Sequence, residues 1–416
     1  MAKKDIIARL KEDKTVWNNY QLFSDAYKRI RIAYIEAARK RPEEFEKRLN
    51  NFINKTKENK KMLTHAEIHK KIDLIIQGIT SRENQAVFTS RGKRHYMDNW
   101  DWFQGVALFG LYEYYRDSGE QAVLNYLLDW FDKHIAEGGI PKNVNSMSPF
   151  LTLSYLYEIT GKAQYLEMCK EWADYAMVEL PRTEEGGFQH VTIDSDNYMQ
   201  LWDDTLYVLA LYMGRMGMLL NREDYIQESV RQFLVHLKYL TDTSTGLFFH
   251  GFNFVGRHHY AGALWGRGNA WYTAGLVDYL DMVTLSDGVK MFLIGSLETQ
   301  IKALRKFQDE SGMWHTLIND PTSYLEASAT AGFSYGILKA VRKGYLSEEY
   351  LPCAWKGVHA ICERIDAAGI LHDVSAGTCL RDSLDYYRNI PINAQPYGQS
   401  MALLLLMETL NWEHIG

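Results

Sequence analysis

Long apolar runs are missing from the sequence. No stretch approaches the roughly 18 consecutive apolar residues that a membrane-spanning helix needs, so no membrane partner is expected. Residues 1–15 also lack the small-residue cleavage site and the apolar core of about 7–15 residues that mark a secretory signal. We therefore predict a protein that is not secreted and that works in the cytoplasm.

Cysteine is scarce, and so are the motifs that bind metals or phosphates. The four cysteines have no CxxC spacing, and in a cytoplasmic protein we expect them to be reduced thiols. The neighbouring His258 and His259 are accompanied by neither an HExxH motif nor an acidic third ligand. A glycine-rich phosphate loop is also missing. The sequence therefore predicts no metal and no cofactor.

The charge pattern does not favour a nucleic-acid partner. The net charge is −6, and residues 1–63 hold 17 Lys and Arg against 9 Asp and Glu. Because acidic residues interrupt each basic run, we interpret 1–63 as a basic helical extension, with Pro42 opening one helix. We expect this extension to pack on the main body or on a second copy of the chain, which would make a homo-oligomer.

Amphipathic helices dominate the remaining residues, 64–416. Short turns marked by glycine or polar residues separate the helical segments, and no alternating strand pattern of any length is found. One helix shows the pattern clearly, because a 3.6-residue spacing places five of its residues on one buried stripe. These residues are Tyr207, Ala210, Leu211, Gly214 and Met218.

A glycine followed by a histidine recurs four times ahead of a helical segment. The pairs are Gly187/His190, Gly246/His250, Gly312/His315 and Gly369/His372, and the histidines are 60, 65 and 57 residues apart. An interval of this length suits one two-helix unit per repeat, with equivalent loops at one end. Six such hairpins closed into a ring would bury every apolar stripe. The sequence therefore predicts an all-α fold, an α/α six-hairpin toroid.

The densest group of polar and aromatic residues lies at 186–207. Here Trp202, Asp203 and Asp204 open a helix, and neighbouring helical residues point about 100° apart, so the two aspartates cannot share one role. One carboxylate would cap the helix. The other would face the cavity, with Trp202 and apolar walls raising its pKa so that it serves as a general acid. A plain capping or solvated role for both stays open.

A second group, at 250–272, contains His250, Trp265, Arg267 and Trp271. Arg267 stands between two glycines, and a guanidinium there suits a carboxylate held through two parallel hydrogen bonds. The tryptophans are equally suited to stacking on a sugar ring and to packing in the core. Glu326 stands at another helix entrance, where we expect it to cap the helix.

Six strings, in this order and spacing, resemble the unsaturated rhamnogalacturonyl hydrolases of glycoside hydrolase family 105, relatives of the family 88 unsaturated glucuronyl hydrolases. They are WDWFQGVALFGLY, NVNSMSPFLTLSYLYEITG, GGFQH…QLWDDTLY, HG…WGRGNAW, SYLEASATAGFSYGI and DSLDYY. The resemblance covers about residues 64–416 and implies an α/α toroid, in agreement with the repeats. Residues 1–63 have no identified counterpart in that family.

The resemblance implies an enzyme for a small oligosaccharide whose terminal sugar carries a C4=C5 double bond. Such sugars remain when a lyase cuts a uronic-acid polymer such as the rhamnogalacturonan of pectin. Asp204 takes the place of the family's general acid and base, which protonates C4 and activates the water that adds at C5. Because hydration takes place at the alkene, no carboxylate nucleophile at the anomeric carbon is needed.

The resemblance also implies the residues that bind the substrate. They are His190, His250, Trp265, Arg267 and Trp271, with Trp102 and Asn145 in the loops of the first two hairpins. Arg267 would hold the uronate carboxylate. Asn145 stands where the family carries a second pocket aspartate, and this leaves Asp204 as the expected sole proton carrier.

Two other functions stay open on the sequence. A sugar 2-epimerase on a similar toroid would use a pair of histidines as acid and base, and only His190 and His250 favour it. A non-catalytic helical scaffold would use the basic N-terminal helices as its contact face, but this leaves the Gly–His loops unexplained. The hydrolase is therefore the leading hypothesis.

Overall fold

The computed structural model describes residues 3–23, 25–58, 63–81, 86–89 and 92–412. The chain divides into two compact units, Met1–Glu67 and Ile68–His414. The predicted boundary after residue 63 adjoins residues 59–62, which lie outside the described ranges. Within those ranges, no helix has both the length and the apolar character needed to cross a membrane.

The described residues of the first unit form a group of four helices. They are α1 (Lys3–Lys11), α2 (Lys14–Leu22), α3 (Asp25–Glu36) and α4 (Pro42–Glu58). Pro42 begins α4 as predicted, because its fixed φ suits the first helical turn. Leu10, Ile35, Leu49 and Phe52 belong to an apolar core within these helices. The helices of this segment therefore share an apolar core of their own.

Six helical hairpins form the second unit, with α5 running into it from residue 65. The outer helices are α5 (His65–Thr80), α7 (Gln121–Glu137), α9 (Ala163–Val178), α11 (Glu223–Leu240), α13 (Asp287–Phe307) and α15 (Leu351–Arg364). The inner helices are α6 (Trp102–Ser118), α8 (Ser148–Thr160), α10 (Leu211–Leu220), α12 (Gly266–Met282), α14 (Ala327–Arg342) and α17 (Pro396–Thr409). A short helix, α16 (Leu384–Arg388), lies in the last connection.

The inner helices form a closed ring. Each packs on the next, from α6 on α8 through to α14 on α17, and α17 packs on α6. The closing contact is tight, because the Ser400 hydroxyl donates to the Val106 carbonyl at 2.7 Å and a Cβ at Gly110 would overlap that hydroxyl. The inner helices are buried almost all round, whereas the outer helices bury one face. The predicted α/α toroid is confirmed.

The Gly–His repeats are tight turns between outer and inner helices. The turn glycines have φ values of 80° at Gly186, 81° at Gly246, 87° at Gly312 and 75° at Gly369. Side chains other than glycine rarely adopt this conformation, so the repeated glycine is a backbone requirement. In the first repeat this glycine is Gly186, and the expected Gly187 is instead its extended neighbour.

Among the described residues, three antiparallel pairs of very short strands lie in the loops. They are β1 (Ala86–Thr89) with β2 (Gly92–His95), β3 (Gln200–Trp202) with β4 (Gly251–Asn253), and β5 (Trp314–His315) with β6 (Leu325–Glu326). Segments of two to four residues are too short to show alternation, so the sequence did not predict them. The β3–β4 pair joins the loops of the third and fourth hairpins, where the polar clusters lie.

The stripe predicted around Tyr207 is only partly correct. Tyr207, Ala210 and Leu211 are buried, but Met218 is 37% exposed. Residues Leu206–Ala210 form a π-helical turn ahead of α10. Every residue from Leu206 to Gly217 is buried, so this inner helix has no single buried stripe, and Met218 is exposed because it lies in the last turn before α10 ends at Leu220.

Candidate active site

The loops that lead into the inner helices surround an open cavity with about 560 Å³ of free space. Its walls include four residues of the predicted site, namely Trp102, Asn145, His190 and Asp204. The remaining predicted residues, His250, Trp265, Arg267 and Trp271, lie behind these walls and are almost fully buried. The structure thus brings the two polar clusters together, but in two layers.

Asp204 is the carboxyl group at the cavity wall, and its side chain is 13% exposed. Its Oδ1 accepts a hydrogen bond from Trp271 Nε1 at 3.1 Å, and its Oδ2 faces His250 Nε2 at 3.2 Å. Burial alone would raise the pKa of Asp204, but the His250 bond and the nearby His190 and Arg267 hold it below the usual value. The expectation of a raised pKa is wrong for this residue, which is a carboxylate in the free protein.

His250 is held on both ring nitrogens. Nδ1 lies 2.7 Å from the Tyr387 hydroxyl, and Trp265 packs against the ring at a centroid distance of 4.2 Å. Burial lowers the pKa of His250, and Asp204 opposes this only in part. The neutral ring therefore accepts from the Tyr387 O–H and donates its Nε2–H to Asp204. Two N–H donors on one carboxylate favour its ionised form.

His190 and Trp202 form an aromatic wall of the cavity. Their rings stack with centroids 4.4 Å apart and planes 6° from parallel. His190 Nδ1 lies 2.8 Å from the Thr205 hydroxyl, and the Trp202 indole N–H donates to Gln200 Oε1 at 2.9 Å. Strand β3 thus fixes Trp202 next to Asp204. The flat aromatic surface suits the apolar face of a sugar ring.

The three tryptophans of the predicted site divide into two roles. Trp102 lines the cavity and stacks on Tyr397 at a centroid distance of 4.7 Å. Trp271 and Trp265 are each 1% exposed and do not line it. Instead, Trp271 donates to Asp204 and Trp265 supports His250. The expectation that all of them line the pocket is therefore corrected for these two.

Arg267 differs most from its predicted role. Its side chain is buried, and both terminal nitrogens donate to one loop segment. The acceptors are the Ser375 carbonyl and hydroxyl, the Ala376 carbonyl and the Thr378 hydroxyl. Glu326 Oε1 lies 3.8 Å from a terminal nitrogen of Arg267. Glu326 also caps α14, as predicted. With four N–H groups occupied and no cavity face, Arg267 shapes the loop and does not grip a carboxylate.

Sequence reasoning missed several residues of the site. Thr378 lies on the cavity wall in the loop that Arg267 holds, and Asp101 lies on that wall while also capping α6. Asp101 is buried, so the cavity wall carries an aspartate besides Asp204 even though Asn145 is an amide. Tyr387 lies in the DSLDYY string, which the family resemblance had already singled out. Asp203, next to Asp204, is wholly buried.

Asp203, Asp204 and His250 form the most compact group of titratable side chains in the site. One atom from each lies within 4.8 Å of the other two. Burial raises the pKa of Asp203 well above its usual value, and the adjacent Asp204 charge raises it further. Because His250 Nε2 and Asp204 Oδ2 are bonded to each other, we assign this group to proton transfer and name no metal ligand.

A family model described as Glycosyl Hydrolase Family 88 matches residues 75–412. The chain belongs to this family. It is therefore a glycoside hydrolase, and the resemblance found in the sequence strings is confirmed. The 2-epimerase and the non-catalytic scaffold are not favoured.

Similar proteins agree with this assignment. The unsaturated rhamnogalacturonyl hydrolase YesR of Bacillus subtilis (strain 168) is 36% identical over 315 residues, covering 75% of this chain and 90% of YesR. A possible GH105 family member from Salmonella enterica is 43% identical with a TM-score of 0.80, covering 85% of this chain and 96% of that chain.

Two further matches support narrower conclusions. The unsaturated glucuronyl hydrolase of Bacillus sp. GL1 is 16% identical with a TM-score of 0.64, covering 84% of this chain and 97% of that chain, and this likeness concerns the fold alone. A second family model, described as Bacteriocin-protection, YdeI or OmpD-Associated, matches residues 2–59 of the first unit.

Proposed function

We propose that this enzyme releases a terminal 4,5-unsaturated uronic acid from lyase-generated oligosaccharides, with a rhamnogalacturonan disaccharide as the leading substrate. The observation that carries the proposal is Asp204 at the cavity wall, oriented by His250 and Trp271. Membership of family 88 and the similarity to YesR support the substrate class.

The proposed reaction is hydration of the alkene. Asp204 in its protonated form delivers a proton to C4, and the ring oxygen stabilises the positive charge that develops at C5. Water then adds at C5 while the same carboxylate removes its proton. The resulting hemiketal opens, and the hemiacetal left at C1 collapses and releases the aglycone as an alcohol. No second carboxylate has to attack the anomeric carbon.

Aromatic and hydrogen-bonding side chains, and no basic ones, receive the sugar in this proposal. The described cavity walls contain neither lysine nor arginine. Trp102 and the His190–Trp202 pair offer aromatic surfaces, while Asn145 and Thr378 offer hydrogen-bonding groups. Arg267 contributes a positive charge from behind the loop. Three aspartates, including Asp204, also line the cavity, so no ion pair with the described walls holds the uronate.

The setting of the reaction belongs to the same proposal. Small products of an external lyase would be taken up before this step, which favours a cytoplasmic enzyme. Association of two copies through α1–α4 also stays a proposal, for which a mass measurement in solution over a range of protein concentrations is the direct test.

The test is an assay with the unsaturated disaccharide. The wild type should remove the ultraviolet absorbance of the conjugated C4=C5 bond, and Asp204→Asn should lower kcat by about 10²–10⁴-fold, as expected for loss of a general acid and base. Asp129→Asn, on the exposed face of α7, is the matched control and should behave as wild type. Undiminished activity in Asp204→Asn would exclude the mechanism, and an inactive wild type would exclude the substrate class.

A further inference from the structure

The buried group of Asp203, Asp204 and His250 contains one acidic side chain, Asp203, that has no role in the proposed reaction. It is 0% exposed, and neither of its carboxyl oxygens has a hydrogen-bond partner among the described residues. Its backbone N–H donates to the His250 carbonyl at 3.0 Å, which ties the residue to strand β4. A buried carboxyl without a partner is costly, so its presence beside the proton carrier calls for a chemical role.

The space around Asp203 is built for a carboxyl. A Cβ on residue 268 would overlap Asp203 Oδ2, so the side chain fits only because Gly268 occupies the first turn of α12. The partial positive charge at the start of that helix favours a net negative charge on the neighbouring acidic pair. No backbone N–H of this turn bonds to Asp203, however, so Asp203 does not serve as a helix cap.

The surroundings divide the two neighbouring carboxyls sharply. Asp204 receives N–H donors from His250 and Trp271, whereas Asp203 receives none. The other titratable or charged groups that face the pair are His190, Arg267, Tyr387 and Tyr397. Two carboxyls this close in a buried site do not ionise together, and the pair keeps one proton. In the free enzyme that proton belongs on Asp203, whose pKa burial raises.

We propose that Asp203 is a positioning residue that stores the proton which Asp204 delivers to C4 of the unsaturated uronate. This inference rests on the proposed function. When the uronate carboxylate arrives beside Asp204, its negative charge raises the proton affinity of Asp204, and the proton moves from Asp203 to Asp204.

The proton balance closes over one turnover. Asp204 gives the stored proton to C4, and water forms the new C–O bond at C5. The proton that this water loses passes to Asp204 and then back to Asp203. The net change is addition of one water across the double bond, and the pair regains the single proton with which it began.

The test uses Asp203→Asn in the full-length enzyme with two readouts. The first is infrared spectroscopy without substrate. The wild type at neutral pH should show a carbonyl stretch of a protonated carboxylic acid that is missing from Asp203→Asn, beyond any band that both proteins share from Glu113, whose pKa burial raises to about 7. A wild type without this band overturns the inference, whatever its activity. A wild type that has the band but does not act on the disaccharide overturns the proposed function and leaves the shared proton standing.

The second readout is the pH profile of kcat. The wild-type rate should fall on the alkaline side as the pair loses its one proton. In Asp203→Asn this fall should move toward acid pH, with kcat near neutrality about tenfold to hundredfold lower and KM little changed. Asparagine keeps the shape of the side chain, so an unchanged profile and rate would mean that Asp203 is structural and would overturn the inference. Gly268→Ala, which crowds Asp203 without removing any titrating group, should shift the profile in the same direction.

Discussion

At the scale of single residues, the chemistry of the site depends on how differently two adjacent carboxyls are surrounded. Asp204 has two N–H donors and a place at the cavity wall, whereas Asp203 is buried without a partner. Proteins give two titratable groups separate acid and base roles by placing them in environments that make their proton affinities different. The Tyr387 hydroxyl at His250 Nδ1 keeps the ring proton of His250 on Nε2, from which it is donated to Asp204.

The buried Asp203 should also leave a mark on stability. Its pKa is raised in the folded protein, so the folded state binds more protons than the unfolded state, and stability falls as pH rises above the ordinary carboxyl pKa of about 3.9. Asp203→Asn removes that loss. We expect the variant to be more stable than wild type near pH 8 by several kcal/mol, since each pH unit between the unfolded and folded pKa values is worth about 1.4 kcal/mol.

The measurement is urea unfolding of both proteins near pH 4 and near pH 8. At the lower pH the two should be nearly equally stable, because Asp203 is protonated in the folded state and about half protonated in the unfolded state, so that little of the loss has set in. The same stability difference at both pH values would show that Asp203 does not carry the proton.

At the scale of elements, the site depends on loops that are held from a distance. Strands β3 and β4 join two hairpins, and Arg267 at the start of α12 holds the segment 375–378 of the last connection. Thr378 in that segment lies on the cavity wall. A buried cation is thus used to shape the pocket from behind.

Arg267→Lys should loosen this loop. A lysine has no planar fork, and its ammonium group cannot replace the four N–H bonds that Arg267 makes to acceptors on three residues. We expect the free energy of unfolding to fall by about 3 kcal/mol, within the range for breaking a buried charged network, and KM to rise more than kcat falls. Hydrogen exchange should accelerate at residues 375–380 first. Unchanged exchange there would contradict this role.

The closure of the ring offers a second prediction for the elements. Gly110→Ala should destabilise the protein by about 1–3 kcal/mol, because its Cβ would overlap the Ser400 hydroxyl. Ser400→Ala removes that oxygen, leaving Ser400 Cβ 3.2 Å from the new methyl, so the double variant should recover part of the loss. Gly295→Ala on α13 meets no atom within 4 Å and serves as the control, with a gain from helix propensity alone.

Thermal unfolding of the four variants, including Ser400→Ala alone, checks this contact. A double variant no more stable than Gly110→Ala would mean that the overlap is not with Ser400. A stable Gly110→Ala would mean that α6 and α17 do not approach this closely.

The sequence was informative about these elements where its signals were local or periodic. The Gly–His turns and the apolar stripes predicted six hairpins, and the strings around Trp202 pointed to Asp204. Contacts between distant segments carried no such signal. The partners of Arg267 are more than a hundred residues away, and a sequence does not reveal that its donors are occupied. The order of the Asp203 and Asp204 pKa values follows from burial of Asp203 and from the His250 bond to Asp204, and a sequence shows neither.

At the scale of the whole molecule, two units with separate cores share one chain. The first contains α1–α4 and matches a different family model from the second. Residues 1–63 hold 17 basic against 9 acidic residues, while the full chain carries −6. The cavity and all the residues assigned to the reaction belong to the second unit.

The two units should therefore respond separately to core mutations. Ile35 is 1% exposed in the core of the first unit, and Ile35→Ala should destabilise that unit by about 2–5 kcal/mol. Calorimetry should show an unfolding transition of the first unit that moves to lower temperature, while kcat and KM at 25 °C stay as in wild type. A matching loss of activity would show that the first unit takes part in the reaction.

The most direct test of the central claim follows two signals in one reaction, the C4=C5 absorbance and the release of the aglycone from the unsaturated disaccharide. Hydration through Asp204 predicts that the absorbance falls no later than the aglycone appears, in equal amounts, and that Asp204→Asn slows both together. Release of the aglycone ahead of the loss of absorbance would show that the anomeric bond is cleaved with the double bond intact, and would contradict the account.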